Sequence, residues 1–154
     1  PVIYRKSHLY GGYEKALFRA AAPSAVTLDH AGHKLGMLVC FDVEFPENVR
    51  LLAKEGCSLV IAPTALPVSP FAAFIAHKMI PVRAFENQLF VAYVNHAGSD
   101  GRFTYAGLST IAAPDGSVLA GANDSDETLL FAELRPDDFE ESAAQNSYLR
   151  DLRL

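Results

Sequence analysis

A chain of 154 residues has the length of one ordinary domain. With 50% hydrophobic and 20% charged residues it holds enough apolar material for a packed core, which excludes a disordered segment. Thirteen basic against 18 acidic residues leave a net charge of −5, which argues against sequence-independent binding to nucleic-acid phosphates. No apolar run approaches the roughly 20 residues that span a bilayer, and the opening PVIYRK lacks the layout of a secretory leader. The cysteines, Cys40 and Cys57, sit in apolar surroundings without metal-type spacing, as expected in a reduced, cytoplasmic setting.

Val2 to Lys6 reads as the end of a strand. Ala25 to Leu28 reads as a short strand, followed by a turn at His30-Ala31-Gly32-His33. Lys34 to Phe41 is nearly all apolar through its centre, the pattern of a strand covered on both faces in a mostly parallel sheet. Phe45 to Glu55 reads as a helix. Pro46 suits its first turn, Val49, Leu52 and Ala53 share one face, and Gly56 ends it. Cys57 to Pro63 is a second buried strand. Ser69-Pro70 opens a helix running to about Gln88, in which Pro81 predicts a kink or restart. Leu89 to Asn95 is a third strand. Leu108 to Ala113, an Asp115-Gly116 turn and Val118 to Ala120 read as a hairpin, and Leu129 to Leu134 as a last strand. The final 20 residues are polar and end in YLRDLRL, a tail expected to pack on something, such as another subunit. This order predicts an α/β fold with a mixed sheet. The pieces supply a helix layer but little to cover the sheet's other face, so the chain is expected to be part of a larger domain.

Cys40 stands at the carboxyl end of the most buried predicted strand, just before a helix. Ligands of open α/β sheets sit at such ends, and a helix N-terminus favours the thiolate. The same burial pattern also fits an inert core cysteine. Cys57 begins a strand and reads as structural. Lys6 is either a solvated charge or, beside a reactive cysteine, an oxyanion stabiliser. Glu14 lies in a Gly-rich loop. Asp42, Glu44 and Glu47 crowd the turn after Cys40 and fit the positive end of the following helix, with Glu47 placed to pair with Arg50. None of the five histidines has a partner at metal-ligand spacing, so no metal site is expected. His8 or His33 as a base for Cys40 is a second, unsupported arrangement.

Two blocks taken together resemble the nitrilase superfamily of carbon–nitrogen hydrolases. YRKSHLYGGYEKALF (4–18) is similar to the family's lysine block. LGMLVCFDVEFPENVRLLAKEG (35–56) is similar to its nucleophile block. VRAFENQLFVAYVNHAG (82–98) matches more softly, on a helix feeding a strand, and 107–116 fits the stretch leading into a Pro-x-Gly turn. The resemblance spans essentially the whole chain. It implies Cys40 as catalytic nucleophile, Lys6 as catalytic lysine and Glu14 as a second, positioning glutamate of the catalytic group. It implies the Phe41 N–H as oxyanion donor, with Glu44 and Thr64 beside the substrate. The family's general-base glutamate belongs to an N-terminal half, so residues 1–154 correspond to the C-terminal part of a single hydrolase domain.

The implied fold of the whole is a four-layer α-β-β-α sandwich that dimerises through helices beside the active site. The implied reaction is hydrolysis of a carboxamide to acid and ammonia through a thioester, without metal or organic cofactor. Phe41-Asp42 after the cysteine resembles the amidase branch, including stereoselective amidases. Val43 and Glu44 stand where carbamoylase-like members carry arginines, which points to a neutral or amine-bearing amide. The alternatives are an omega-amidase- or carbamoylase-like hydrolase of the same family, a catalytically incomplete fragment or dimerising module of the same fold, and a cysteine hydrolase with a histidine base.

Overall fold

The computed structural model describes residues 2–153. The chain opens without regular structure through Tyr10, so Val2 to Lys6 is not a strand. It enters a short helix α1 (Gly11–Leu17) that carries Glu14, where a loop was expected. Strands β1 (Thr27–His30) and β2 (His33–Met37) pair antiparallel across the Ala31-Gly32 turn. Both turn residues have positive φ (49° and 80°), as a two-residue hairpin on twisted strands requires.

The apolar run from β2 leaves the sheet earlier than its composition indicates. Leu38 still donates to Ile61 O, and then Cys40–Glu44 winds into a 3₁₀ turn. Helix α2 (Pro46–Lys54) follows with Pro46 in its first turn, and Gly56 at φ 82° reverses the chain after it. Strand β3 (Leu59–Thr64) runs parallel to β2.

The long helix predicted up to Gln88 begins as α3 (Ala72–Phe74), widens into a π turn (Ile75–Met79), and continues as α4 (Ile80–Asn87). Pro81 disturbs it as expected, but the backbone stays helical from Phe74 through Ile80, so the helix neither restarts nor breaks. The missing N–H of Pro81 is accommodated by the wider turn just before it. Gln88, in the left-handed region, caps the end.

Strand β4 (Phe90–Asn95) lies parallel to β3. A small hairpin, β5 (Ala97–Ser99) with β6 (Thr104–Ala106), follows where no strand was expected. Three-residue strands are too short for an alternation pattern to register. Strands β7 (Thr110–Ala112) and β8 (Val118–Gly121) form the hairpin around Asp115-Gly116. Leu129 to Leu134 is not a strand. It runs unpaired with Leu129 and Phe131 largely exposed. The tail forms a 3₁₀ turn and the short helices α5 (Glu140–Gln145) and α6 (Tyr148–Asp151). Tyr148 meets Phe85 edge to face, so this tail packs in part on α4 of its own chain.

The main sheet has the order β1-β2-β3-β4-β7-β8, parallel in its centre and antiparallel at both edges: the mixed sheet of the expected α/β fold. The core lies on one face. Val60 and Ala62 of β3 and Val91 and Tyr93 of β4 pack with Val49 and Leu52 of α2 and Ile80 and Ala84 of α4. On the opposite face only Phe90 is buried, beside Phe139 of the tail, while Leu35, Met37, Leu59, Ile61, Ala92 and Ile111 are half-buried and Val94 is exposed. This is one sheet with one helix layer, two of the four layers that the resemblance implies.

Candidate active site

The parallel strands β2 and β3 end on the same side, and the residues at those ends, together with the segment of residues 6–19, line a cavity of about 520 Å³. Lys6, Glu14, Cys40 and Thr64 all line it, with Tyr13 and Phe18 from α1 and the following bend. The side chains of Phe41 and Glu44 lie outside this lining.

Cys40 sits where β2 gives way to the 3₁₀ turn and has φ 53°. A residue with a side chain resists this conformation, at a cost on the order of 1–3 kcal/mol, unless its surroundings enforce it. The strained corner presents the thiol to the cavity and starts a helical turn whose first N–H groups have no intrahelical acceptor. Both cysteines are free thiols. Cys57 is buried in the core against Gly36, and burial pushes its thiol up from the ordinary range, the signature of an inert sulfur.

Lys6 Nζ donates to both oxygens of Glu14, at 2.9 and 2.7 Å, with each side chain about 15% exposed. Glu14 also accepts from the Tyr10 N–H at 2.6 Å. Three hydrogen bonds thus hold the glutamate, two of them to the ammonium it orients. Thr64 Oγ1 donates to Ala62 O at 2.9 Å. Phe41 packs edge-on to Tyr10 and Phe45, which walls off one side of the Cys40 turn.

Glu44 is half-buried, and desolvation raises its carboxyl above the usual range, with Arg83 and Lys6 pulling the other way. Arg83 supports the turn from α4. Its Nε donates to Val43 O at 3.1 Å and its Nη2 to Glu44 O at 2.6 Å, while Nη1 pairs with Glu86. The Arg-Ala-x-Glu segment was legible as a motif, but this role was not read from it.

Two further residues were missed. Tyr93 is buried with its hydroxyl unpartnered, and burial, then the charges of Cys40 and Glu44, drive its ionisation far upward. Tyr13 lines the cavity beside Phe103 of the small hairpin, with the Arg102 guanidinium 5.6 Å from its ring. A tyrosine in an apolar run, as Tyr93 is, or in a Gly-rich stretch, as Tyr13 is, carries no sequence signal of such a position.

His33 starts β2 and lies seven residues before Cys40 along an extended chain, roughly 23 Å at strand rise, so it cannot serve the thiol. His8 stacks on Phe45 and contacts Asp42 instead. Glu47 makes no pair with Arg50 among the described residues, and Arg50 Nη1 is buried without a partner. Among the described residues no three His, Cys, Asp or Glu side chains gather as metal ligands, and no helix is long and apolar enough to cross a membrane.

A mixed α/β sheet with a cysteine on a strained strand-end corner, lining one cavity together with a glutamate-held lysine, defines the class of structure. The chain belongs to the carbon–nitrogen hydrolase family, whose model matches residues 2–144. It is 45% identical over 150 residues to a protein of Pseudomonas protegens described as "Hydrolase in pqqF 5'region", covering 97% of this chain and 52% of that protein. It is 36% identical to an (R)-stereoselective amidase of a Pseudomonas species, over 98% of this chain and 54% of the relative. A glutamate-to-glutamine mutant of the amidase from Nesterenkonia sp. AN1 superposes with a TM-score of 0.84 at 37% identity, over 97% of this chain and 52% of that one. That structure shows covalent addition of the acetamide moiety of fluoroacetamide at the active-site cysteine. The chain spans about half the length of these relatives.

Proposed function

We propose that the chain is the nucleophile-bearing C-terminal part of an amidase that hydrolyses a small carboxamide to acid and ammonia. The observation that carries this reading is the convergence of Cys40, Lys6 and Glu14 on one cavity at the strand ends. The modified cysteine of the Nesterenkonia amidase supports the same chemistry. Cys40 attacks the amide carbonyl, and the Lys6 ammonium and the Phe41 N–H hold the oxyanion. A glutamate outside this chain takes the thiol proton and delivers it to the leaving nitrogen. Ammonia departs, and water, activated by the same glutamate, hydrolyses the thioester. Glu14 is engaged by the Lys6 ammonium and the Tyr10 N–H, which supports a base from elsewhere.

The remaining part of the domain packs on the half-covered sheet face and completes the four layers, and the whole assembles as a homo-oligomer in the cytoplasm. The substrate is a neutral or amine-bearing amide, because Glu44, outside the cavity lining but close enough to Lys6 for that charge to act on it, repels a substrate carboxylate brought to Lys6. The test is ammonia release over a panel of amides by the full-length protein. Cys40→Ala is expected to lower kcat by at least about 10⁴-fold, and iodoacetamide to label Cys40 and spare Cys57. A fully active Cys40→Ala variant overturns the reading. Glu44→Arg is expected to move preference toward carboxylate-bearing amides, and an unchanged preference removes Glu44 from substrate selection.

A further inference from the structure

The segment carrying Lys6 has no strand or helix to hold it. Glu14 fixes the tip of the lysine, but nothing in that pair fixes its root relative to Cys40. Asp42 does. It lies two residues after Cys40 in the same 3₁₀ turn and is completely buried. Its carboxylate accepts from Tyr4 Oη at 2.8 Å, Ser7 Oγ at 2.8 Å, Ser7 N at 3.4 Å and His8 N at 2.7 Å, and His8 Nδ1 lies 3.0 Å away. Every one of these partners comes from residues 4–8, on both sides of Lys6.

An aspartate serving the helix end would bond N–H groups of its own turn, and Asp42 bonds none of them. The grip is reinforced from α2. Asn48 Nδ2 donates to Asp42 O at 2.9 Å and lies 3.1 Å from His8 Nδ1, while His8 stacks on Phe45 with ring centres 3.7 Å apart. A buried carboxylate is tolerated only when its lone pairs are filled, so the loop cannot leave without stranding it.

We infer that Asp42 is a positioning residue for the lysine, locking the root of Lys6 and the nucleophile Cys40 into one rigid body. This rests on the reading of Lys6 and Cys40 as the reacting pair. Lys6 then approaches the oxyanion at a distance set by Asp42 and at an angle set by Glu14. Displacement of a catalytic group by about 1 Å costs on the order of 100-fold in rate.

The experiment is a double-mutant cycle on amide hydrolysis by the full-length protein, with Asp42→Asn, Lys6→Ala and their combination. Asp42→Asn is expected to lower kcat by about 100-fold while KM changes little, and to cost nothing further in the Lys6→Ala background. An equal loss in both backgrounds overturns the inference and leaves Asp42 a stabilising residue only. Should Asp42→Asn fail to fold, Ser7→Ala replaces it in the same cycle, with a smaller loss that must likewise vanish without Lys6. Full activity of Lys6→Ala alone overturns the underlying assignment instead, so the two failures are distinct.

Discussion

Neighbouring residues of one strand meet opposite fates in this molecule. On β3, Val60 and Ala62 are completely buried under the helices, while Leu59 and Ile61, which alternate with them, are only half covered. On β4, Val91 and Tyr93 are buried and Val94, next along, is 53% exposed. Both sets are apolar. Polar alternation marks a sheet with one wet face, and its absence here says that both faces are meant for burial. The strand sequence therefore records the demand for two layers, while the residues described supply one and, at Phe90, a corner of the other.

The largest expected effect is on the covered face. Leu52→Ala removes a fully buried side chain between α2 and the sheet, and is expected to cost 2–5 kcal/mol in urea unfolding, on the order seen for such truncations. Gly36→Ala, on the same face, is expected to cost about 1–3 kcal/mol. Its Cβ would stand 2.8 Å from Leu52 Cδ1 and 3.2 Å from Cys57 Sγ. A neutral Gly36→Ala would show that this face is loosely packed and would blunt the contrast.

Val94→Asp tests the other face in two settings. In residues 1–154 expressed alone, the exposed position is expected to tolerate the charge within about 0.5 kcal/mol and to gain solubility. In the full-length protein the same change is expected to cost several kcal/mol, because a buried, unpaired carboxylate is penalised. Equal small effects in both settings would mean that nothing covers the face.

The smallest effect is at the junction of the two regions. Burial raises the Glu44 carboxyl above its unfolded value. Below both values Glu44 is protonated in either state and adds no pH dependence. As pH rises, the unfolded chain ionises first and folding loses stability. Glu44→Gln removes that loss, so thermal melts are expected to show a larger gain at pH 8 than at pH 5. Equal gains at both pH values would mean that Glu44 is effectively solvated.

The parallel core strands, α2 and the β7–β8 hairpin were legible because apolar runs, Pro46, Gly56 and Asp115-Gly116 are local signals of local structure. The site was legible differently. Cys40, Lys6 and Glu14, which line one cavity, were singled out as candidates by the resemblance of their blocks, since none is diagnostic by its own chemistry. Asp42 looked like a helix-end charge because its partners lie more than 30 residues away, and no window along the chain contains both. The absent strands at Val2 to Lys6 and Leu129 to Leu134 show the converse. Their residues have strand composition, but β-structure requires a neighbour to pair with, and the described residues offer none.

The π turn at Ile75–Met79 sets the phase of everything after it. One extra residue in a helical turn rotates the following face by about 100°. Ahead of it Ala72 faces the core, and beyond it Arg83 reaches Val43 and Glu44 behind the nucleophile corner. The helix therefore works as a keyed shaft, in which the number of residues matters as much as their identity. Deleting one residue of the π turn would close it to an ordinary α turn and leave the arginine on its carbonyls, whereas a deletion elsewhere between Ala72 and Arg83 would swing it off, so this stretch should accept substitutions far more readily than most changes of length.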